Sequence, residues 1–361
     1  MNTPSPCAAA RAWVDVDLGA LSANARTLAR ISGGRLLPMV KANGYGLGAI
    51  AVARALATAD PWGYGVGTVS EAAELRSAGI DRPIVLFTPL LPDWVEGCLA
   101  HDVRPSIADL DALRAWIARS DRPFHVEIDT GMARAGFSHD DPDLVGAVGA
   151  LLAGAPGWEG VFTHFHSPES GTDATELQWS RFQRVVAALP RRPPLVHAAN
   201  SAAALRGTRY TADLVRPGIY LYGGGGFEPA PRPVAAFRAR VVATRRLATG
   251  DTVSYGAVWR AERAVTIATI AVGYADGFPR AAGRPRAIEL AGRVVPVVGR
   301  VTMDMTMVAL DEGQVLSPDA VATVFGGLVS LDRQAEWAGT IPYELLTSIG
   351  ARVPRHYTGP D

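Results

Sequence analysis

Lys41 is the sole lysine among 35 lysine and arginine residues in a chain of 361. Every other fixed positive charge is arginine, whose delocalised guanidinium stays protonated and attacks carbonyls poorly. A lysine in an apolar setting can lose its proton and form an imine, the chemistry that the aldehyde of pyridoxal phosphate exploits. Lys41 follows Leu36-Leu37-Pro38-Met39-Val40, which reads as a buried strand, so the amine is expected at a strand end. Other residues end predicted strands in the same way: Arg134, His164, Asn200-Ser201 and Gly218-Ile219.

The elements that must position these residues alternate. Strand-like runs at residues 14–18, 36–41, 63–68, 83–87, 103–108, 124–129, 161–165, 195–200 and 213–219 are separated by amphipathic segments at 21–31, 50–59, 70–78, 94–100, 111–119 and 175–189. Ser70 is the expected N-cap of the 70–78 helix. Strand and helix alternating about eight times over some 200 residues predict an α/β fold, a (β/α)8 TIM barrel. No strand leads into a GxGxxG turn, which weighs against an open doubly wound sheet. Beyond Tyr222 the pattern changes. Gly223 to Gly226 and the proline-rich residues 229–233 read as a linker, and β-branched, alternating runs follow at 238–243, 264–272, 286–290, 294–298, 305–310 and 320–325. The expected division is a barrel over residues 1–232 and a C-terminal antiparallel β domain over 233–361.

Composition narrows the partner. Formal net charge is zero and no block of like charge occurs, which points away from nucleic acid and membrane surfaces and toward a small molecule. Cys7 and Cys98 are the only cysteines, so neither a disulfide framework nor CxxC zinc spacing is available, and no metal site is expected. The first eleven residues lack a basic region followed by an apolar core, and no apolar run reaches spanning length; the expectation is a cytoplasmic protein.

Six motifs in order carry a resemblance: VKANGYG at 40–46, DTGM at 129–132, HAANSAA at 197–203, VRPGI at 215–219, GYADG at 273–277 and GRVTMDM at 299–305. Together they cover nearly the whole chain and resemble alanine racemase. The resemblance implies a pyridoxal-phosphate isomerase interconverting L- and D-alanine, built as barrel plus β domain in a head-to-tail homodimer whose active sites are shared between subunits. It implies that Lys41 carries the cofactor and is the base on one face of the substrate, with Tyr274 of the partner subunit as the base on the other. Tyr45, Asn200, Ser201, Gly218, Ile219 and Tyr343 are then cofactor-binding residues. By the same resemblance Arg216 would face the pyridine nitrogen; it cannot take a proton there, so the ring would be left a weaker electron sink and reprotonation favoured over transamination. A phenol titrates near about 10 and is a poor base unaided, so His164 and Arg216 form the implied hydrogen-bonded relay to it. The resemblance also implies that Arg134 and the Met303 N–H hold the substrate carboxylate, a task to which the planar fork of arginine is suited. Tyr343 and Met303 wall a pocket that fits little more than a methyl group, and Asp304 is a supporting residue. His101, His125, His139, His166, His197 and His356 are read as structural or surface histidines.

Three residues depart from the family pattern. Glu127 stands where a carbamylated lysine is usual, and it is expected to supply the same negative charge to Arg134. Thr302 replaces a common cysteine and Leu47 a common histidine, which raises a serine-preferring or broad-specificity racemase as the alternative. A non-catalytic pyridoxal-phosphate carrier is the reading from another class, and the second domain with Tyr274 argues against it.

Overall fold

The structure is a computed structural model that describes residues 10–170, 173–281, 285–311, 314–317 and 319–359. Cys7 lies outside the described residues. The chain divides into two compact units: one comprises Ser22–Gly44 and Ala49–Gly218, the other the residues through Leu21, Tyr45–Gly48 and Ile219 onward.

The first strand, β1 (Ala12–Asp17), belongs to the second unit. The first unit is built on β2 (Arg35–Leu36), β3 (Tyr64–Val66), β4 (Ile84–Pro89), β5 (Val103–Ile107), β6 (Phe124–Asp129), β7 (Phe137–Ser138), β8 (Trp158–Phe162), β9 (Leu195–His197) and β10 (Leu214–Val215). Their sheet order is β2-β10-β9-β8-β6-β5-β4-β3, all parallel, with β7 attached beside β6. The two ends of that order join: Met39 bridges Gly65, the Val40 N–H donates to the Gly65 carbonyl (2.8 Å) and the Gly65 N–H to the Pro38 carbonyl (2.8 Å). An eight-stranded parallel barrel closes there. Its strands are continuous apolar runs, such as the fully buried Ile84-Val85-Leu86, because both faces of a parallel barrel sheet are covered. Leu37, Val85, Leu195 and Leu214 pack together in its core against Trp62 and Phe87.

Helices fall where expected within a few residues, at Leu18–Ser32, Ala49–Ala57, Val69–Ser77, Val95–Ala100, Leu110–Ile117 and Ala174–Ala188. A further helix, Pro142–Ala153, was not anticipated; its apolar residues lack a clean helical stripe, and only Val148 and Leu152 are fully buried. The expected cap Ser70 is corrected to Thr68, whose hydroxyl accepts the Glu71 N–H while Glu71 reaches back to the Thr68 N–H, a reciprocal capping box.

The second unit is an eight-stranded sheet. Beyond β1 it contains β11 (Ala235–Leu247), the separate hairpin of β12 (Thr252–Val253) and β13 (Trp259–Arg260), β14 (Val265–Ile270), β15 (Ala287–Leu290), β16 (Arg293–Val298), β17 (Thr306–Ala309), β18 (Val321–Phe325) and β19 (Arg355–Thr358), in the order β14-β17-β16-β15-β18-β11-β1-β19. The expectation that residues 14–18 open the barrel is therefore corrected: β1 pairs antiparallel with β11 and parallel with β19. Its Val14 and Val16 are fully buried while Asp15 and Asp17 are not, the alternation of a sheet with one covered face. The residues through Leu21 and from Ile219 onward join this unit. Nor is the glycine run a loose tether. The Gly225 N–H donates to Asp332 (2.7 Å), and a Cβ at Gly223 would lie 2.8 Å from the Arg232 carbonyl. No helix among the described residues is long and apolar enough to cross a membrane.

Candidate active site

The chain leaves the barrel at Lys41 and at once turns left-handed. Ala42 (φ 53°, ψ 48°), Asn43 (53°, 51°) and Gly44 (61°, 47°) all lie in the left-handed region, and Tyr45 follows at φ 53°. Glycine adopts this conformation freely and asparagine tolerates it, but each other L-residue gives up about 1–2 kcal/mol. Local bonds hold the turn. The Glu71 carboxylate accepts the Ala42 N–H (2.6 Å) through one oxygen and the Gly67 N–H (2.7 Å) through the other; Asn43 Oδ1 accepts the Ala49 N–H (2.9 Å), and the Gly44 N–H reaches the Val40 carbonyl (2.8 Å). Lys41 is exposed at the strand mouth, yet the protein packed around it lowers its ammonium below the ordinary lysine value, the Arg134 charge adding to this and Glu71 opposing it. Glu71 escaped the sequence reading, although the T-x-x-E spacing from Thr68 was its signal.

Arg134, His164, Asn200, Ser201, Arg216 and Gly218 follow the C-terminal ends of β6, β8, β9 and β10, the mouth where Lys41 follows β2. Arg216 is 3% exposed and donates from Nη1 to His197 Nδ1 (2.7 Å) and from Nη2 to the carbonyls of Thr163 (2.7 Å) and Ala198 (3.0 Å), with a longer bond to His164 Nδ1 (3.4 Å). Its Nε–H has no acceptor among the described residues. Burial brings its acidity to about 9, the Glu127 charge opposing and the Arg134 charge assisting, so it is charged at neutral pH. His164 is neutral: burial and the charges of Arg216, Arg134 and Lys41 push it down to about 3.

Glu127 is 5% exposed, which rules out an ordinary solvated strand residue. Burial raises its carboxyl, and the charges of Arg134 and Arg216 counteract that. Among the described residues no hydrogen bond or ion pair joins it to Arg134, so it acts on both arginines through its field. The loop to Arg134 is shaped by Asp129, whose carboxylate accepts the N–H groups of Gly131 (2.9 Å) and Ala133 (3.1 Å). Gly136 has to be glycine, because a Cβ there would sit 2.7 Å from the Asp129 nitrogen.

Asn200 caps the short helix Ser201–Leu205, its side-chain oxygen accepting the Ala203 N–H (3.1 Å). Ser201 Oγ accepts the Gly218 N–H (2.9 Å), which leaves the Ser201 hydroxyl hydrogen as a donor.

In the second unit Tyr45 stacks on Tyr222 (centroids 4.4 Å apart, 16° between planes), and Tyr343 tilts against Tyr45 at 5.9 Å. Burial raises the phenols of Tyr45 and Tyr222, so both remain protonated. The backbone N–H of Ile219, a fully buried residue, has no acceptor among the described residues. A second cluster ties two loops together: the Tyr274 N–H donates to the Thr302 carbonyl (3.0 Å) and the Ala275 N–H to that of Met303 (3.0 Å), an approach that a Cβ at Gly273 would block. Fully buried Asp276 accepts from Gly273 N–H (2.9 Å), Arg11 (2.7 Å) and Arg352 (2.8 Å), and both arginines also reach Asp304 (3.4 and 2.7 Å). Tyr274 and Met303 remain 41% and 53% exposed, and the Met303 N–H has no acceptor among the described residues. Tyr222, Arg11 and Arg352 were missed in the sequence because none sits in a motif.

The family model "Alanine racemase, N-terminal domain" matches residues 16–225, and "Alanine racemase, C-terminal domain" matches residues 234–357. The chain belongs to the alanine racemase family. An alanine racemase of Deinococcus radiodurans is 38% identical over 355 residues, covering 96% of this chain and 98% of that protein. The crystal structure of the alanine racemase from D-cycloserine-producing Streptomyces lavendulae superposes with a TM-score of 0.88 at 33% identity, covering 100% of this chain and 99% of that one. That of the Bacillus anthracis alanine racemase with bound L-Ala-P superposes with a TM-score of 0.87 at 30% identity, covering 97% of this chain and 95% of that one.

Alanine racemases are pyridoxal-phosphate enzymes, and the donor set here suits that group. One amine, a buried guanidinium with an uncommitted Nε–H and the donor hydroxyl of Ser201, all in the barrel unit, match an aldehyde, a pyridine nitrogen and a phosphate dianion. The departures from the alanine racemase pattern at Leu47 and Thr302 serve the fold. Leu47 is fully buried, and the Thr302 hydroxyl donates to the Met305 carbonyl (2.9 Å) and accepts the Met305 N–H (3.1 Å).

Proposed function

We propose that the chain interconverts L- and D-alanine with pyridoxal 5'-phosphate as resident cofactor, in a homodimer whose active sites draw on both subunits. One observation carries the reading: the only amine side chain in the protein stands just before a built left-handed turn at the mouth of a parallel barrel, whose Arg216 keeps one buried N–H uncommitted. When bound, the cofactor supplies an aldehyde and a conjugated ring that acidifies the Cα proton of an amino acid. Lys41 would hold it covalently. Ser201, Ile219, Tyr45 and Tyr343 would donate to its phosphate, with Gly218 fixing the Ser201 oxygen and Asn200 the helix behind it. Arg216 would offer Nε–H to the ring nitrogen and keep that proton.

The chain's own groups then move the substrate proton. Lys41, with its proton affinity lowered by its surroundings, takes and returns it on one face. Tyr274 of the partner subunit does so on the other, with neutral His164 and charged Arg216 as its implied relay. Arg134 and the Met303 N–H clamp the substrate carboxylate, and Glu127 balances the charges of Arg134 and Arg216. An exposed Tyr274 and Met303 on one strapped patch, held by Asp276 and Asp304, suit a surface offered to a second subunit. A cytoplasmic enzyme supplying D-alanine for peptidoglycan precursors fits this reading. With Leu47 and Thr302 engaged internally, nothing favours serine over alanine. The test is conversion of L- to D-alanine by the purified chain with added cofactor, followed by chiral chromatography; absence of D-alanine, or faster turnover of serine, would overturn the assignment.

A further inference from the structure

Four strands of the barrel, β9, β8, β6 and β5, and Arg216 just after β10 each contribute one residue to a single chain of polar groups, buried except where Glu159 and Arg104 reach its outer end. Arg216 Nη1 meets His197 Nδ1 (2.7 Å), His197 Nε2 meets His125 Nδ1 (2.8 Å), His125 Nε2 meets Glu159 Oε2 (3.1 Å), and Arg104 Nε donates to the same oxygen (2.8 Å). Both imidazoles are fully buried. Phe162 lies flat against His197 (5.0 Å, 9°), and Gly160 makes room for the His125 ring, which any Cβ there would strike.

The protons on this chain can be assigned from either end. Arg216 only donates, so His197 Nδ1 must be a lone pair and Nε2 must carry the hydrogen. That hydrogen points at His125 Nδ1, which must then be a lone pair too, leaving His125 Nε2–H to donate to Glu159. The carboxylate only accepts, so counting from the far end gives the same answer. A second proton on either ring would set two donors against each other. Burial pushes both histidines down, His197 well below its ordinary value, which agrees with two neutral rings. Burial would raise the Glu159 carboxyl, but the His125 hydrogen bond and the Arg104 charge outweigh it and hold the group low.

We propose that Glu159 is a positioning residue for the reaction: through the Nε2–H tautomers of His125 and His197 it fixes the Arg216 guanidinium so that Nε–H faces the cofactor's ring nitrogen. It goes beyond the reading of His125 and His197 as structural, and it rests on the role proposed above for Arg216. The two claims separate experimentally. Nitrogen-15 spectra of histidine-labelled, cofactor-loaded full-length protein report the tautomers directly, whatever the enzyme turns over. Two neutral Nε2–H histidines that persist in Glu159→Gln, whose carbonyl can still accept from His125, are expected. Glu159→Leu should mix the tautomers and lower kcat about 10–100-fold with little change in KM, the range seen when a metal-bound histidine loses its outer partner, while Glu159→Gln keeps most of the activity. An Nδ1–H tautomer or an imidazolium at either position, or Glu159→Leu with wild-type tautomers and kcat, overturns the proposal. Correct tautomers in a protein that does not racemise alanine would instead refute the proposed function and leave the relay standing.

Discussion

Replacing Glu71 by glutamine should disable the enzyme through its lysine without unfolding it. In the left-handed turn, Ala42 and Tyr45 each give up about 1–2 kcal/mol, and Asn43 less. Against this stand two bonds to one carboxylate, from Ala42 N–H at 2.6 Å and Gly67 N–H at 2.7 Å. Hydrogen bonds to a charged group are worth about 1.5–3 kcal/mol each, and the lower end applies at a half-buried carboxylate. Strain and support are therefore nearly balanced. Glutamine keeps one acceptor and turns an N–H against the other amide, a loss of about 1.5 kcal/mol, which is a little over tenfold in the population of the correct turn. The helix Val69–Ser77 retains its Thr68 cap, so thermal melting should move by no more than about 4 °C. Cofactor titration followed by borohydride trapping on Lys41, together with kcat/KM for alanine, reads the effect; both should fall about tenfold. Wild-type cofactor affinity and kcat/KM in Glu71→Gln would show that the turn needs no carboxylate.

Lys41→Ala should lose all borohydride-trapped cofactor, since no other lysine exists, and a variant that still traps it on a side chain would contradict the single-amine reading. Tyr274→Phe should slow racemisation about 10²–10⁴-fold in both directions; in D₂O its Cα exchange should survive for D-alanine and vanish for L-alanine, and equal wild-type exchange of both enantiomers would remove Tyr274 as a base. Glu127→Gln should lower turnover yet stabilise the fold at neutral pH. With the carboxyl raised above its ordinary value by burial, its contribution to stability is complete below that ordinary value and is lost as pH rises through the folded value. The stability gap between variant and wild type should accordingly close on acidification; a gap that widens, or a bicarbonate requirement in the wild type, would refute the role given to Glu127.

The sequence alone determined the chemistry that could occur and the order of the elements. A single lysine after an apolar run and a chain without blocks of like charge are local facts, because residue type sets nucleophilicity and charge whatever the fold. Even the destination of β1 was legible, since Val14-Asp15-Val16-Asp17 alternates while barrel strands such as Ile84-Val85-Leu86 do not. Tertiary structure decided which distant groups meet. Arg11 reaches Asp276 across 265 residues, and His125 reaches His197 across 72. Neither pairing leaves a trace in spacing, because it depends on which strands become neighbours and which side chains the register turns inward. The left-handed turn after Lys41 belongs with them: Gly44 permits it, but the carboxylate that holds it comes from a helix beyond the next strand, and only the closed barrel brings that helix alongside.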